Sequence, residues 1–348
     1  MTSRLLVPGI AAAFGAALLF GASTPIAKLL LGNIDPWMLA ALLYLGSGFG
    51  LTVYRLLMRH PWPRLGRDEW LWLAGAVAAG GLVAPILLMT GLARMPAAGA
   101  SLLLNAESVF TALLAWMVFK ENADRRIVLG MIAIVAGSIV LAWPGELRLG
   151  AAIPALAVVG ACFAWAVDNN LTRKVALLDA TWLTSVKGVS AGIVNLVAAL
   201  AFGAHLPRPA MIAQALGLGF VAYGISLALF VLALRHLGTA RTGAYFSVAP
   251  FFGTLLAIPL LSESVDARLI GAGVLMGFGV WLHVTERHRH LHEHAPIVHD
   301  HEHEHDEHHR HADHPALPSG TSHAHAHTHT PMTHDHEHFP DAHHRHDH

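Results

Sequence analysis

Charged side chains are scarce in this sequence, and their scarcity excludes an ordinary soluble domain. Asp, Glu, Lys and Arg make up 13% of the 348 residues, whereas hydrophobic residues make up 54% and the mean hydropathy is +0.50. A soluble domain could not bury so much apolar surface while carrying so few solubilising charges. The composition therefore indicates an integral membrane protein.

The sequence also lacks the motifs on which most enzymes depend. It has one cysteine, Cys162, which excludes an internal disulfide and any cluster of cysteine ligands. No nucleophile is paired with a base in a recognisable motif, and there is no glycine-rich phosphate loop. We therefore predict a protein that is not an enzyme, and nothing in the chain indicates a nucleic-acid partner.

Long apolar runs are what the sequence has instead. A membrane span needs about 20 predominantly apolar residues, and by that measure we predict ten spans. They are residues 7–31, 36–57, 70–92, 97–119, 127–143, 151–167, 182–202, 212–234, 239–261 and 269–284. Because lipid offers the backbone no hydrogen-bond partners and the apolar runs do not alternate, the predicted fold is all-α.

The membrane part of the chain repeats itself. Residues 106–121 recur without a gap at 248–263, with Phe110 matching Phe252, Leu113 matching Leu255 and Glu121 matching Glu263. Because five spans per copy is an odd number, the second copy enters the membrane in the opposite direction. We predict two inverted five-helix repeats, residues 1–145 and 146–287, an arrangement typical of transporters that work by alternating access.

Basic residues between the spans predict the orientation. With a cytoplasmic N-terminus, the opposite side of the membrane carries only Arg94, Arg148, Arg208 and Arg268. The cytoplasmic side then carries Arg4, Arg55, Arg59, Arg64, Arg67, Lys120, Arg125, Arg126, Arg173, Lys174, Arg235, Arg241, Arg287 and Arg289. This bias predicts an inner-membrane protein with both termini in the cytoplasm.

The pattern resembles the EamA group of the drug/metabolite transporter superfamily. The likeness lies in two copies of five spans, in Glu121 and Glu263 at the ends of the fourth spans, and in short glycine-rich fifth spans. The segments that leave the first span of each copy, ending in Lys28 and Lys174, are similar too. The resemblance covers about residues 7–285, and it implies a transporter from a family associated with efflux of amino acids, metabolites and drugs.

Polar side chains inside apolar spans are the candidate functional residues, because inserting a charge costs about 2.5–3.5 kcal/mol. Glu107 lies near the middle of the fourth span, with Asn105 two residues before it. Lys187 in the seventh span is the natural opposite charge, and Lys28 is a second candidate partner. Pro250 stands beside the repeat position of Glu107 and predicts a kink that opens backbone groups to a central cavity.

Two interpretations of Glu107 stay open. It either couples protons to substrate or binds a cationic substrate group, or it pairs with Lys187 and holds helices together. Members of the resembling family often have a basic residue in the second span of a copy, which Lys187 matches and residues 42–46 do not. Asp168, Asn169 and Asn170 close the sixth span; they either finish a helix as ordinary helix-end residues, which is the interpretation we favour, or line the cytoplasmic mouth of a cavity.

The C-terminal segment has a different character. Of the 27 histidines, 23 lie in residues 288–348, where acids alternate with many of them. No apolar face exists there, so we predict a disordered, His-rich cytoplasmic tail. Because imidazole binds Zn, Ni, Co and Cu, we predict loose metal ligands there, with no cofactor required. They are His301, His303, His305, His308, His309, His323, His325, His327 and His329.

The sequence thus predicts a permease that exports a small metabolite, such as an amino acid or a drug-like compound, by alternating access. Its predicted partners are the lipid bilayer, the substrate and protons carried by Glu107. Two alternatives stay open: a divalent-metal efflux protein whose tail collects its cargo, and a non-transporting scaffold or metal sensor. The substrate, the coupling ion and the oligomeric state also stay open, a homodimer being one option.

Overall fold

The computed structural model divides the chain into two units, Met1–Glu286 and Arg287–His348. It describes residues 2–60, 63, 66–119, 125–142, 149–172, 175, 179–237, 242, 245–285, 289–294, 298–303, 323–328 and 332–337. Glu121 and Lys174, two of the residues that carry the family resemblance, lie outside these ranges.

The described part of the first unit is helical. Its α-helices are α1 (Thr2–Leu31), α2 (Pro36–Leu57), α3 (Arg67–Ala76), α4 (Ala84–Ala93), α5 (Ala97–Leu103), α6 (Ala106–Phe119), α7 (Arg125–Ala142), α8 (Leu149–Thr172), α9 (Ala180–Ala201), α10 (Pro209–Gly219), α11 (Ser226–Leu237), α12 (Ala249–Leu261) and α13 (Ala267–Val284). Two π-helical segments, Val77–Val83 and Phe220–Ile225, join α3 to α4 and α10 to α11.

Seven helical segments of the described chain are long and apolar enough to cross a membrane. They are Gly9–Leu31, Pro36–Leu57, Glu69–Ala93, Ala97–Val118, Ala152–Thr172, Ala180–Ala201 and Pro209–Ala233. Three further helices of the described chain are apolar but shorter than these seven: Val128–Leu141, Ala249–Leu261 and Ala267–Leu282. The helical membrane fold is therefore confirmed, whereas the count of ten spans stays a prediction.

The fourth and ninth predicted spans are interrupted rather than continuous. A turn at Leu104–Asn105 separates α5 from α6, and a turn at Ser247–Val248 precedes α12. Pro250 lies in the first turn of α12, where proline is favoured because the backbone N–H there needs no helical partner. Pro250 therefore begins a helix at a break in the predicted span, and the opening of backbone groups there to a central cavity stays a prediction.

Helices α2 and α9 pack with their backbones in contact. A Cβ on Gly48 would lie 2.3 Å from the backbone nitrogen of Val189, and one on Gly192 would lie 2.7 Å from that of Leu45. The later residue of α2 therefore contacts the earlier residue of α9, so the two helices run antiparallel. Small residues at such a crossing allow the close approach on which helix association in membranes depends.

Replacing Gly46 tests this kind of packing against α10. A Cβ at Gly46 would lie 2.1 Å from the carbonyl oxygen of Leu216, a backbone atom that cannot move aside. We expect Gly46→Ala to destabilise the protein by about 1–3 kcal/mol, measured as a lower apparent Tm of the purified chain in detergent. Gly217→Ala on α10 is the matched control, because a Cβ there meets nothing within 4 Å. Equal melting of both variants would contradict the close α2–α10 contact.

The described part of the second unit contains four short strands. They are β1 (Arg289–His294), β2 (Val298–His303), β3 (His323–Thr328) and β4 (Met332–Glu337), and they pair antiparallel as β1 with β4 and β2 with β3. Backbone pairing of this kind needs no apolar face, so the composition did not indicate it. Because isolated two-stranded ribbons are at best marginally stable in water, the disorder of the tail stays a prediction.

Candidate functional site

A proline-induced gap in the helical hydrogen bonding organises the centre of the first unit. Pro85 has no N–H, so the carbonyl of Gly80, five residues before it in the π-helical segment, loses the donor that a π-helix would supply. Side chains from two other helices replace it. The Gly80 oxygen accepts from Tyr44 Oη at 2.6 Å and from Trp165 Nε1 at 3.1 Å. The Gly81 oxygen accepts from an amide side chain on α9 at 2.8 Å.

A buried ion pair lies against this segment. Lys187 Nζ on α9 donates to Asp168 Oδ1 on α8 at 2.5 Å, and Thr172 Oγ1 donates to the same oxygen at 2.8 Å. Gly80 makes room for the carboxylate, since a Cβ there would lie 1.9 Å from Asp168 Oδ2. The helix extends past Asp168 to Thr172, so interpreting Asp168 as an ordinary helix-end residue is wrong.

Glu107 lies in the first turn of α6 and reaches α8, not α9. Its Oε1 accepts from Asn169 Nδ2 at 2.8 Å. Asn169 is exposed, but it does not lie on the outer face of α8. That face carries exposed apolar side chains such as Leu156 and Phe163, and Asn169 lies roughly 120–140° around the helix from both. The Asn169 amide, with the Glu107 carboxylate that it contacts, therefore lies away from the outer face of α8. The predicted pair of Glu107 with Lys187 is wrong, because Lys187 pairs with Asp168.

Aromatic rings from both halves of the first unit meet beside these carboxylates. Phe20 of α1 contacts Trp165 of α8 edge to face, with centroids 6.1 Å apart, and contacts Tyr223 at 5.7 Å. Tyr44 of α2 lies 5.7 Å from Tyr223. The Tyr44 hydroxyl is also close enough to interact electrostatically with both Asp168 and Glu107. The aromatic and charged groups therefore form one cluster.

Lys28 lies elsewhere and stabilises a turn. Its Nζ donates to the backbone oxygens of Leu92, Ala93 and Met95 at 2.7, 3.2 and 3.0 Å, at the C-terminal end of α4. The carboxylate of Glu263 accepts from the backbone nitrogens at the start of α5, at 2.6 and 2.8 Å. A cation at a helix C-terminus and an anion at an N-terminus are both favourable. Lys28 is thus a helix-capping residue and is not the partner of Glu107.

Asn105 forms part of the break in the fourth predicted span. It is buried, and its Nδ2 donates to the Leu102 oxygen at 3.1 Å. Its Oδ1 has no hydrogen-bond partner in the described part of the chain. An unpartnered buried acceptor two residues before Glu107 keeps Asn105 a candidate for the site.

Metal ligands form no cluster in the ranges whose side chains the structure describes. Of the nine predicted tail ligands, the structure gives backbone for His301, His303, His323, His325 and His327 and leaves the other four outside the described residues. The side chains of all nine are outside it. The predicted metal-binding tail therefore stays a prediction.

The structure also brings to the site residues that sequence reasoning did not select. They are Tyr44, Trp165, Phe20 and Tyr223, aromatic side chains within apolar runs of the sequence. The hydrogen bonds of Tyr44 and Trp165 to Gly80, and the ring contacts of Phe20 and Tyr223, depend on which helices are neighbours, and a single sequence does not specify this. Pro85 was the available signal, since a proline inside a span frees upstream carbonyls that polar side chains must satisfy.

A charged cluster inside the helices of a membrane protein is typical of transporters, since intramembrane charges often mark transport pathways. The EamA-like transporter family matches residues 7–143 and again residues 152–285. The chain belongs to this family, within the drug/metabolite transporter superfamily, as its sequence pattern predicts. Membership indicates a transporter rather than an enzyme.

Several known proteins are similar over different lengths. An uncharacterised transporter of Methanothermobacter thermautotrophicus is 29% identical over 285 residues, covering 77% of this chain and 83% of the relative. One from Archaeoglobus fulgidus is 26% identical over 259 residues, covering 69% and 89%. The probable 4-amino-4-deoxy-L-arabinose-phosphoundecaprenol flippase subunit ArnE of Pseudomonas aeruginosa is 37% identical over 109 residues, covering 30% and 92%.

A solved crystal structure has the same fold. It superimposes with a TM-score of 0.63 at 18% identity, covering 82% of this chain and 99% of the solved one. At this identity the likeness shows the fold alone.

Proposed function

We propose that this chain exports a small organic solute by alternating access between two inverted five-helix repeats, with protons carried by Glu107. The observation that carries the proposal is the Glu107 carboxylate, which lies among the helices in hydrogen-bond contact with Asn169 of α8. A carboxylate placed there can bind and release a proton as the protein opens to either side of the membrane.

The inverted arrangement is supported by matched features in the two copies. The family match occurs twice, and the π-helical segments Val77–Val83 and Phe220–Ile225 stand at corresponding places in the third and eighth predicted spans. Helices α2 and α9, the second spans of the two copies, run antiparallel, with Arg55 near the end of α2 bound to Asp179 at the start of α9. Equivalent helices that run in opposite directions are what inversion requires.

The membrane placement completes the proposal. The seven long apolar segments and three shorter ones would together supply ten spans. The basic residues of the connections favour an inner-membrane protein with both termini in the cytoplasm. In that orientation Arg55 and Asp179 lie at the cytoplasmic end, and Lys28 with Glu263 lies at the opposite end.

An organic substrate is supported by the aromatic rings that surround the charged cluster. ArnE, by its name, acts on a lipid-linked sugar that carries an amino group, and an organic cation would suit a carboxylate. Metal efflux finds no support, since no relative reported above is named for a metal and the described side chains form no metal cluster. Loose metal binding by the tail would then be a separate property of residues 288–348.

Transport by the purified chain tests the proposal. The chain is reconstituted in liposomes that contain a pH-sensitive dye, and a pH gradient is imposed. Amino acids, organic amines, sugars and divalent metal salts are then added in turn. We expect at least one organic class to dissipate the gradient at a rate proportional to the amount of protein.

A chain ending at Arg287 is the matched control for the tail. We expect it to keep organic solute transport and to lose Ni²⁺ and Zn²⁺ binding, measured by equilibrium dialysis. If no organic solute dissipates the pH gradient, in either direction of the gradient, the proposed function is contradicted. If metal salts alone dissipate it, metal transport replaces the proposed function.

A further inference from the structure

The charge balance of the cluster is uneven in the part of the chain that the structure describes. Asp168 is compensated by the ammonium of Lys187, and Thr172 donates a further hydrogen bond to it. Glu107 has only a neutral partner, the Asn169 amide at 2.8 Å. With both carboxylates ionised, the cluster therefore carries one uncompensated negative charge, which is costly away from water and favours a bound cation or a proton.

The groups around Glu107 offer no second cation in the described ranges. The charged and titratable side chains that face it are Asp168 and Cys162 of α8, Tyr44 of α2 and, beyond Asp168, Lys187 of α9. Lys187 is already bound to Asp168. A bound cation must therefore come from outside the described chain.

Asn105, close to Glu107 in the sequence, offers a further acceptor. The Oδ1 of Asn105 is buried without a hydrogen-bond partner in the described chain, two residues before Glu107. An ammonium has three donors and no acceptor. Its hydrogen-bonding pattern therefore complements a carboxylate beside a free amide oxygen.

The aromatic part of the cluster presents ring surface rather than polar groups. The Tyr44 hydroxyl and the Trp165 indole N–H are both occupied by the Gly80 carbonyl. The other groups of the cluster are the apolar faces of these rings and of Phe20 and Tyr223, whose centroids lie 5.7 Å apart, with Trp165 and Tyr223 buried among them. Such surfaces bind apolar groups, and their faces also attract cations.

We infer that the site binds a protonated primary amine with an apolar body. The ammonium lies on Glu107, and the body packs against Phe20, Tyr44, Trp165 and Tyr223. The inference rests on the proposed function, in which the same carboxylate carries the proton. Amine and proton then compete for Glu107, so one amine leaves as one proton enters. A solute with a carboxylate and no amine is excluded by charge repulsion.

Binding to the purified full chain in detergent tests the inference by calorimetry. The probes are phenethylamine, tryptamine and hexylamine, each with the alcohol of the same body, and 3-phenylpropionate. At pH 8 we expect at least one amine to bind about tenfold or more tightly than its alcohol, about 1.4 kcal/mol. Its affinity should fall by up to about tenfold per pH unit where Glu107 takes up a proton. No binding should be measured for 3-phenylpropionate.

Two variants distinguish the contribution of the amine's charge to binding from the contribution of its apolar body. Glu107→Gln should bind an amine and its alcohol equally, whereas Trp165→Leu should weaken both by a similar factor. Failure of all three amines to bind, equal binding of amine and alcohol by the unaltered chain, or an amine preference that survives Glu107→Gln would overturn the inference.

The binding assay is independent of transport, so the two proposals can fail separately. If the liposomes exchange protons for a neutral or anionic solute, the amine inference is wrong and the proposed function stands. If amines bind with the expected selectivity but no solute dissipates the gradient, the amine site stands and proton-coupled transport is wrong.

Discussion

Glu107→Gln should abolish pH-driven transport while leaving the protein folded. Glutamine preserves the size of the side chain and an oxygen that can accept from Asn169, whose Nδ2 lies 2.8 Å from Glu107 Oε1. It cannot take up or release a proton near neutral pH. We expect the rate of gradient dissipation by the transported solute to fall by about tenfold or more, with the apparent Tm in detergent unchanged or raised.

The matched control is Glu69→Gln, which makes the same chemical change at a surface carboxylate. The Glu69 side chain accepts from the backbone nitrogen of Gly66 at 2.7 Å, at the exposed start of α3, and has no hydrogen bond or ion pair with the cluster's side chains in the described part of the chain. Transport by this variant should equal that of the unaltered chain. Normal pH-driven transport by Glu107→Gln would remove Glu107 from the mechanism.

Lys187→Met should be the most destabilising change in the cluster. It leaves Asp168, a buried carboxylate, without the ammonium that lies 2.5 Å from it. Removing one partner of a buried ion pair typically costs about 3–5 kcal/mol, because the other charge stays buried. We expect a large fall in the apparent Tm of the purified chain and a reduced yield of folded protein.

A double variant distinguishes the ion pair from simple packing. Asp168→Asn combined with Lys187→Met removes both charges, and we expect it to recover much of the stability that Lys187→Met loses. Such recovery is the mark of an interaction between the two sites. A double variant that melts as low as the sum of the two single changes would show that the pair is not coupled.

The second helix shows how far local sequence determines the structure. Its predicted bounds, 36–57, coincide with α2 (Pro36–Leu57). Asp35 caps the helix, its Oδ1 accepting from Trp37 N at 2.9 Å and Met38 N at 3.3 Å, and Pro36 suits the first turn. Cap, proline and apolar run are all local, so one sequence is sufficient to predict them.

The partners inside the cluster show where the sequence is insufficient. Glu107 and Lys187 lie in helical segments long and apolar enough to cross a membrane, but the partners predicted for them were wrong. Asp168 falls one residue past the predicted span of 151–167, and α8 continues to Thr172. A carboxylate inside a helix needs a countercharge, whereas one at a helix end does not, and the identity of that countercharge depends on tertiary packing. The same packing decides which side chains replace the donor that Pro85 lacks.

Accessibility at Asn169 tests alternating access most directly. Cys162, the single cysteine, is buried, so Cys162→Ala gives a background without reactive thiols. Asn169→Cys in that background then places one thiol beside Glu107. Right-side-out and inside-out membrane vesicles are treated with a membrane-impermeant maleimide. The proposed alternating access would expose the surroundings of Asn169 to each side of the membrane in turn, so we expect labelling from both sides, slowed by the transported solute. Labelling from one side only, or from neither, would contradict the account.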